Sequence, residues 1–301
     1  MDRSVSLAIL SDIHYAGADE RARGNFCGGA IANPVRRAAG ADYVVANGDY
    51  SCDSAFIGVS DDAACASARE CLQKLRSQFG DRFTANFGDH EIGKKTLGAD
   101  RGGLRLASYL RAQKELGLQP LWQVVLGHYV LLGVVSTLVA FPVYEPEALP
   151  EEKMPWEELR AQHLEEIRRA FAALRPEQRV LFFCHDPSAL PFLWREETVR
   201  ARLPQIEKTI IGHLHSPFVF HQSRLLTGMP VIKFLGHTPQ RITAALREAR
   251  HWKPFHVLLC PSLSGIELLK DGGYYTVRLD PAARRPAEFQ RHDWKSSPVR
   301  R

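Results

Sequence analysis

Eight residues of this 301-residue chain have side chains and spacings suited to holding divalent cations: Asp12, His14, Asp49, Asp89, His90, His185, His213 and His215. Carboxylate oxygens and imidazole nitrogens are ligands that first-row divalent metals take at about 2.0–2.2 Å. Asp12-Ile13-His14 and His213-Leu214-His215 each place one residue between two polar ones, so at a strand end both side chains leave on the same side. Two cations about 3.5–4 Å apart need seven or eight ligand atoms with one carboxylate shared, and the set is of that size. Taken singly the pieces say little. An Asp-x-His or a Gly-Asp is more often a turn or a capped helix, and a lone histidine after "LFFC" is more often a satisfied interior residue.

Their positions along the chain give them meaning. Short apolar runs at 4–10, 42–47, 82–87, 179–184 and 206–211 read as strands, and each ends in one of the polar groups above. Helical periodicity marks 61–79, 105–116 and 156–174; the last is bracketed by Pro155 and Pro176. The stretch 121–138 reads as a hairpin around Gly127-His128, and further strands are expected at 217–221, 230–235, 255–260 and 274–279, enough for a second sheet. The alternation is that of an α/β layer protein. In open α/β sheets the carboxyl ends of the strands share one edge, where ligands bind, so five such ends bring the polar residues together.

The ordered set DIH (12–14), GD (48–49), GDHE (88–91), H (185) and GHLH (212–215) resembles the five motifs of the calcineurin-like metallophosphoesterases: D-x-H, G-D, G-N-H-D/E, H and G-H-x-H. The resemblance runs from residue 12 to 215 and implies a four-layer α/β/β/α sandwich with two mixed sheets. Position by position, it implies that Asp12, His14 and His215 hold one metal, that Asp49 bridges, and that Asp89, His185 and His213 hold the second. Manganese, iron or zinc would suit such ligands. It further implies a phosphate-ester hydrolase in which a metal-bridging hydroxide attacks phosphorus while His90 assists the leaving oxygen. Glu91 would orient His90, with Asp53 as a second candidate for that task.

One position departs from the pattern. Asp89 stands where the motif has asparagine; it keeps an oxygen for a metal but adds a charge and loses the amide donors. Two divalent ions, a hydroxide and two aspartates leave one net positive charge, and an ionised Asp89 cancels it. At an effective dielectric of 20, one charge about 4 Å from a phosphoryl group is worth on the order of 4 kcal/mol before relaxation. Three responses are open: a protonated Asp89, a trivalent ion such as Fe³⁺, or a preference for monoanionic diesters over dianionic monoesters. The expectation is a retuned site, since every other ligand is present.

Around the site, Lys94, Lys95 and Arg101 lie in a Gly-rich segment after the third motif and are candidate phosphate contacts. Segments 15–34 (with Arg21 and Arg23), 93–104 and 141–155 read as rim-loop insertions into a single domain over 1–280. His237, in a further Gly-His pair, is read as structural. Residues 281–301 read as a basic, solvated tail: it holds six Lys/Arg against two Asp/Glu, which takes up four of the chain's net +5. The near-neutral remainder argues against a nuclease, which would need a basic groove. A nucleotide-lipid pyrophosphate hydrolase would want an apolar rim, for which Trp122, Phe192, Leu193 and Trp194 are candidates. A non-catalytic metal-binding scaffold is the reading from another class. The substrate expected is a small-molecule phosphate ester. Six cysteines form no C-x-x-C pair, no apolar run is long enough to span a membrane, and no signal peptide is apparent, so a cytoplasmic setting is the default.

Overall fold

The computed structural model describes residues 4–15, 38, 40–95, 101–214, 221, 225, 227–228, 230, 246–263 and 272–293. The described elements follow in the order β1 (Val5–Leu10), β2 (Tyr43–Asn47), α1 (Asp62–Phe79), β3 (Phe83–Asn86), α2 (Leu106–Leu116), β4 (Leu121–Leu126), β5 (Tyr129–Val134), α3 (Ser136–Val139), α4 (Phe141–Tyr144), α5 (Lys153–Ala172), β6 (Arg179–Cys184), α6 (Leu190–Arg195), α7 (Glu197–Ala201), β7 (Ile206–Ile211), β8 (Val257–Leu259), β9 (Gly273–Leu279) and β10 (Glu288–Asp293). One mixed sheet has the order β10-β9-β1-β2-β3, the other β4-β5-β6-β7-β8. Strands β1, β2 and β3 run parallel, as do β5 through β8; β9 and β10 on one sheet and β4 on the other supply the antiparallel pairs.

The apolar runs are buried on both faces, and their alternation sorts the side chains into layers. Leu7, Ile9, Val45, Val277 and Leu279 of the first sheet meet Leu131, Leu181, Phe183 and Ile210 of the second in one core. The alternate residues Ala8, Leu10, Val44 and Ala46, with Val130, Leu132, Val180 and Phe182, cluster with helix residues such as Cys65, Leu72 and Leu75 of α1 and Ile167 and Phe171 of α5. Helix α1 starts where Asp61 accepts a 2.8 Å hydrogen bond from Ala64 N, an N-cap of the usual kind. A run of aromatic rings ties the layers together at one end: Phe87 to Tyr109 at 5.6 Å, Tyr109 to Trp156 at 5.6 Å, and Trp156 to Phe141 at 6.0 Å.

Two expectations are corrected. The stretch 281–301 is not a solvated tail from its start, because Glu288–Asp293 is the edge strand β10, paired along its length with β9. Its charges concealed an alternation in which Phe289 packs against the inter-sheet core and reaches Tyr275 at 6.1 Å. The stretch 141–155 is not an open loop either. It winds through α4 and two short 3₁₀ turns, Glu145–Glu147 and Pro150–Glu152, and buries Phe141, Tyr144 and Glu147. The strands expected at 217–221 and 230–235 (residues 221 and 230 apart), all but Tyr15 of the segment 15–34, and His237 lie outside the described residues.

Trp156 is fully buried and joins α2, α4 and α5 through its two ring neighbours. Trp156→Ala is expected to destabilise the protein by about 3–5 kcal/mol, read as a lower urea midpoint at unchanged slope.

Candidate metal centre

Each candidate site residue sits just past a strand end: Asp12 and His14 after β1, Asp49 after β2, Asp89 and His90 after β3, His185 after β6 and His213 after β7. Four of them have left-handed backbones, with φ of 51° at Asp12, 46° at His14, 59° at Asp49 and 58° at His213. A side chain in that region costs roughly 1–2 kcal/mol, so something must hold it there. The loops are stitched to one another: His14 N donates to Asp49 O at 2.9 Å, Tyr15 N to Tyr50 O at 2.8 Å, and His213 N to Asp12 Oδ1 at 2.9 Å. The motif glycines permit this approach. A Cβ at Gly88 would lie 2.2 Å from Asp49 Oδ1, and one at Gly212 would lie 2.4 Å from Ser11 Oγ and 2.5 Å from Asp12 Oδ2.

The ligand atoms converge in three overlapping groups: His14, Asp49 and His90; Asp12, Asp49 and His185; Asp89, His185 and His213. Asp49 and His185 each belong to two of them. Nε2 of His185 lies 3.2 Å from Asp49 Oδ2, 3.3 Å from Asp89 Oδ1 and 3.9 Å from Asp12 Oδ1. Nδ1 of the same ring donates to Asn47 O at 2.5 Å, which leaves Nε2 facing the carboxylates. Both Asp49 Oδ2 and His185 Nε2 are buried without a hydrogen-bond partner. A carboxylate oxygen and an imidazole nitrogen buried 3.2 Å apart are ligand atoms that a shared cation satisfies in place of a proton, so the residues fit the expected metals. His215 lies outside the described residues.

The charges in the metal-free centre follow from the same contacts. Burial and Asp89 push the Asp49 carboxyl up, but His185 and His90 outweigh them and hold it well below its usual range. Burial opposes ionisation of Asp89, yet Lys94 and His213 hold it well below its usual range. This argues against the protonated Asp89 considered above. His185 is raised despite burial, by Asp49 and Asp12, and His213 is raised to about 9 despite burial, chiefly by Asp89. His90 goes the other way: burial lowers it to about 3. Its ring stacks edge-on against His14 at 4.7 Å, with Nε2 3.9 Å from Asp49 Oδ2.

Glu91 does not orient the His90 ring, whose buried Nδ1 has no hydrogen-bond partner. Its carboxylate accepts from the backbone amides of Asp49 at 3.0 Å, Tyr50 at 2.8 Å and Gly88 at 2.9 Å, and so fixes two motif loops at once. Burial and Asp49 push its carboxyl up to about 8 against the pull of those amides. Asp53 is likewise occupied elsewhere, accepting from Gly58 N at 2.7 Å. Of the candidate phosphate contacts, Lys94 reaches the centre and pairs with Asp89 Oδ2 at 2.8 Å. Its ammonium places a positive charge beside that carboxylate. Arg101 is exposed, and the Lys95 backbone amide is tied to Glu147 Oε2 at 2.7 Å. The proposed apolar rim also changes, because Trp122 and Leu193 are buried.

A buried polar chain behind the centre has no counterpart in the sequence reading. Trp122 Nε1 donates to Asn86 Oδ1 at 3.1 Å, and Asn86 Nδ2 to Asn47 Oδ1 at 3.0 Å. The carbonyl of Asn47 receives His185 Nδ1 and also Ser11 Oγ at 3.2 Å. Ser11 Oγ in addition donates to Asp12 Oδ2 at 2.6 Å. These residues set the tautomer of one ligand and the orientation of another. The signal available was an asparagine at the end of two adjacent parallel strands, Asn47 and Asn86, in register with each other.

A pH dependence follows for the metal-free protein. The folded value of His213 lies above the unfolded value of about 6.5, so its contribution to stability is full below about pH 6.5 and is lost as pH rises through about 9. The melting temperature of metal-free protein should fall across that window. At neutral pH, metal uptake should release protons and weaken as pH drops, which calorimetry in buffers of different ionisation enthalpy would measure.

Residues 5–217 match the family model described as calcineurin-like phosphoesterase. No curated protein matches the chain. Among solved structures the chain is similar to a dimetal phosphatase from Danio rerio, at 13% identity and a TM-score of 0.48, with 92% of this chain and 93% of that one covered. It is also similar to Phosphopantetheinyl Hydrolase from Mycobacterium tuberculosis, at 15% identity and a TM-score of 0.37, covering 72% and 85%. A third likeness is to Yfce, a phosphoesterase from E. coli, at 15% identity and a TM-score of 0.33, covering 91% of each chain. With the family model spanning β1 through β7 and the residue groups described above, the chain belongs to the calcineurin-like phosphoesterase family.

Proposed function

We propose that the protein hydrolyses phosphate esters of small molecules at a dinuclear metal centre. The observation that carries this reading is the meeting of Asp49 Oδ2 and His185 Nε2, both buried, both without a hydrogen-bond partner and 3.2 Å apart, at the centre of three overlapping ligand groups. In it Asp12, His14 and His215 would hold one cation, Asp89, His185 and His213 would hold the other, and Asp49 would contribute to both. Bound there, two divalent cations would supply an activated water and charge for the phosphoryl oxygens. Manganese, iron and zinc suit a mixed carboxylate and imidazole set.

The chain's own residues do the rest. His90 is neutral before substrate arrives, because burial disfavours its imidazolium. Its backbone amide donates to Asp49 Oδ1 at 3.0 Å, which fixes the ring's base beside the shared carboxylate. A neutral imidazole there donates one ring N–H to the leaving oxygen and gains a proton more readily once an anionic phosphoryl group lies beside it. Glu91 acts as a positioning residue, holding the Asp49 and Gly88 amides. Asn47 and Asn86 keep His185 in the tautomer that presents Nε2.

Among the described residues no helix is long and apolar enough to cross a membrane. The described cysteines, Cys52, Cys65, Cys71, Cys184 and Cys260, are free thiols.

Metal analysis of the purified protein, before and after loading with manganese, iron or zinc, is the test, paired with turnover of bis-aryl and mono-aryl phosphates. Two metals per chain with turnover of either ester is the expected result; fewer than two after loading defeats the reading. His90→Asn should retain both metals and lower kcat by about 100-fold or more.

A further inference from the structure

Asp89 differs from the motif's asparagine by a charge and by the loss of an amide donor, and both differences meet Lys94. The carboxylate is divided between two surroundings. Oδ1 faces the ligand cluster, 2.9 Å from His213 Nδ1 and 3.3 Å from His185 Nε2. Oδ2, on the side where an amide nitrogen would project, faces Lys94 Nζ at 2.8 Å. The contact is ionic, since Oδ2 has no hydrogen bond of good alignment.

Lys94 is built into place. Its amide donates to Phe56 O at 3.1 Å, and its carbonyl accepts from Gly103 N at 3.1 Å. The neighbouring Lys95 forms a bridge with Gly102, and Gly103 N also bonds Phe56 O at 2.9 Å. Both glycines have positive φ, and a Cβ at Gly102 would lie 2.4 Å from Phe56 O. Only 24% of the Lys94 side chain is exposed, so the ammonium is held in the rim rather than trailing into solvent.

We propose that Asp89 and Lys94 work as one neutral unit in place of the motif's asparagine. Asp89 Oδ1 serves as the ligand atom, while Lys94 returns the missing positive charge and faces the phosphoryl group as its specificity-determining partner. The unit removes the bias toward monoanionic diesters that Asp89 alone would impose, and it suits the site to dianionic phosphoryl groups. This inference rests on the metal-centre reading above.

A double-mutant cycle tests it: the unaltered chain, Lys94→Met, Asp89→Asn and the double variant, each loaded with metal. The readouts are metals per chain by elemental analysis and calorimetric affinity for inorganic phosphate at mildly alkaline pH, where phosphate is mainly dianionic, with dimethyl phosphate as the monoanionic probe. Lys94→Met should weaken phosphate binding roughly tenfold or more, and dimethyl phosphate less. The double variant should return phosphate affinity to within about twofold of the unaltered chain, and Lys94→Arg should preserve it. The double variant contains no unpaired carboxylate, so it guards against a fold defect in Lys94→Met alone. If the double variant binds phosphate as weakly as Lys94→Met alone, Lys94 is an independent anion contact and the unit is overturned. No loss in either background overturns it as well. Fewer than two metals in the unaltered chain would overturn the centre itself, and the metal count separates that failure from the others.

Discussion

Three buried carboxylates converge on one imidazole nitrogen, and the rest of the structure is arranged to make that tolerable. Asp12, Asp49 and Asp89 are almost wholly removed from solvent, yet oxygens of all three lie within 3.9 Å of His185 Nε2. Carboxylates brought this close and this dry repel one another and lose hydration, so they ionise together only if positive charge lies among them. In the metal-free protein protons on His185 and His213 and the ammonium of Lys94 supply it. Cations of higher charge supply it better.

That convergence dictates the architecture. No single sheet could deliver these groups, because adjacent parallel strands place their ends about 4.8 Å apart in a row. Here β1, β2 and β3 supply one row and β6 and β7 the other, and the sheets face each other across a shared apolar core. The remaining gap is closed by loops in left-handed conformations at Asp12, His14, Asp49 and His213, with glycines where two backbones would otherwise collide. Local strain is thus concentrated at the ligands, and Glu91 offsets part of it by gathering three amides onto one carboxylate.

This explains what could be seen in the sequence and what could not. The strand–motif pairs were legible because ligand chemistry restricts residue type and strand geometry restricts spacing; β6 and β7 fall on 179–184 and 206–211 as expected. The helices α1, α2 and α5 were legible from periodicity, within a few residues at each end. Pairings between distant residues carry no such signature. Nothing in the order Trp122, Asn86, Asn47 says that the three side chains meet, or that Glu91 turns inward to backbone amides rather than toward the next residue's ring. Strand β10 is hidden because Phe289 is its one apolar residue, set among charged and polar neighbours.

The aspartate in the third motif shows why a ligand cannot be judged alone. Counted by itself, Asp89 cancels the centre's positive charge and argues for a site hostile to dianions. Five residues later the chain supplies Lys94, held by the backbone of Phe56 and Gly103 at 2.8 Å from the carboxylate. The quantity that a phosphoryl group senses is the field summed over everything within a few ångströms, and the low dielectric of a buried site makes each term large. A motif records which atoms touch the metal, but the charge of the centre is settled by the next ring of residues as well. In this protein that ring changes the sign of the conclusion.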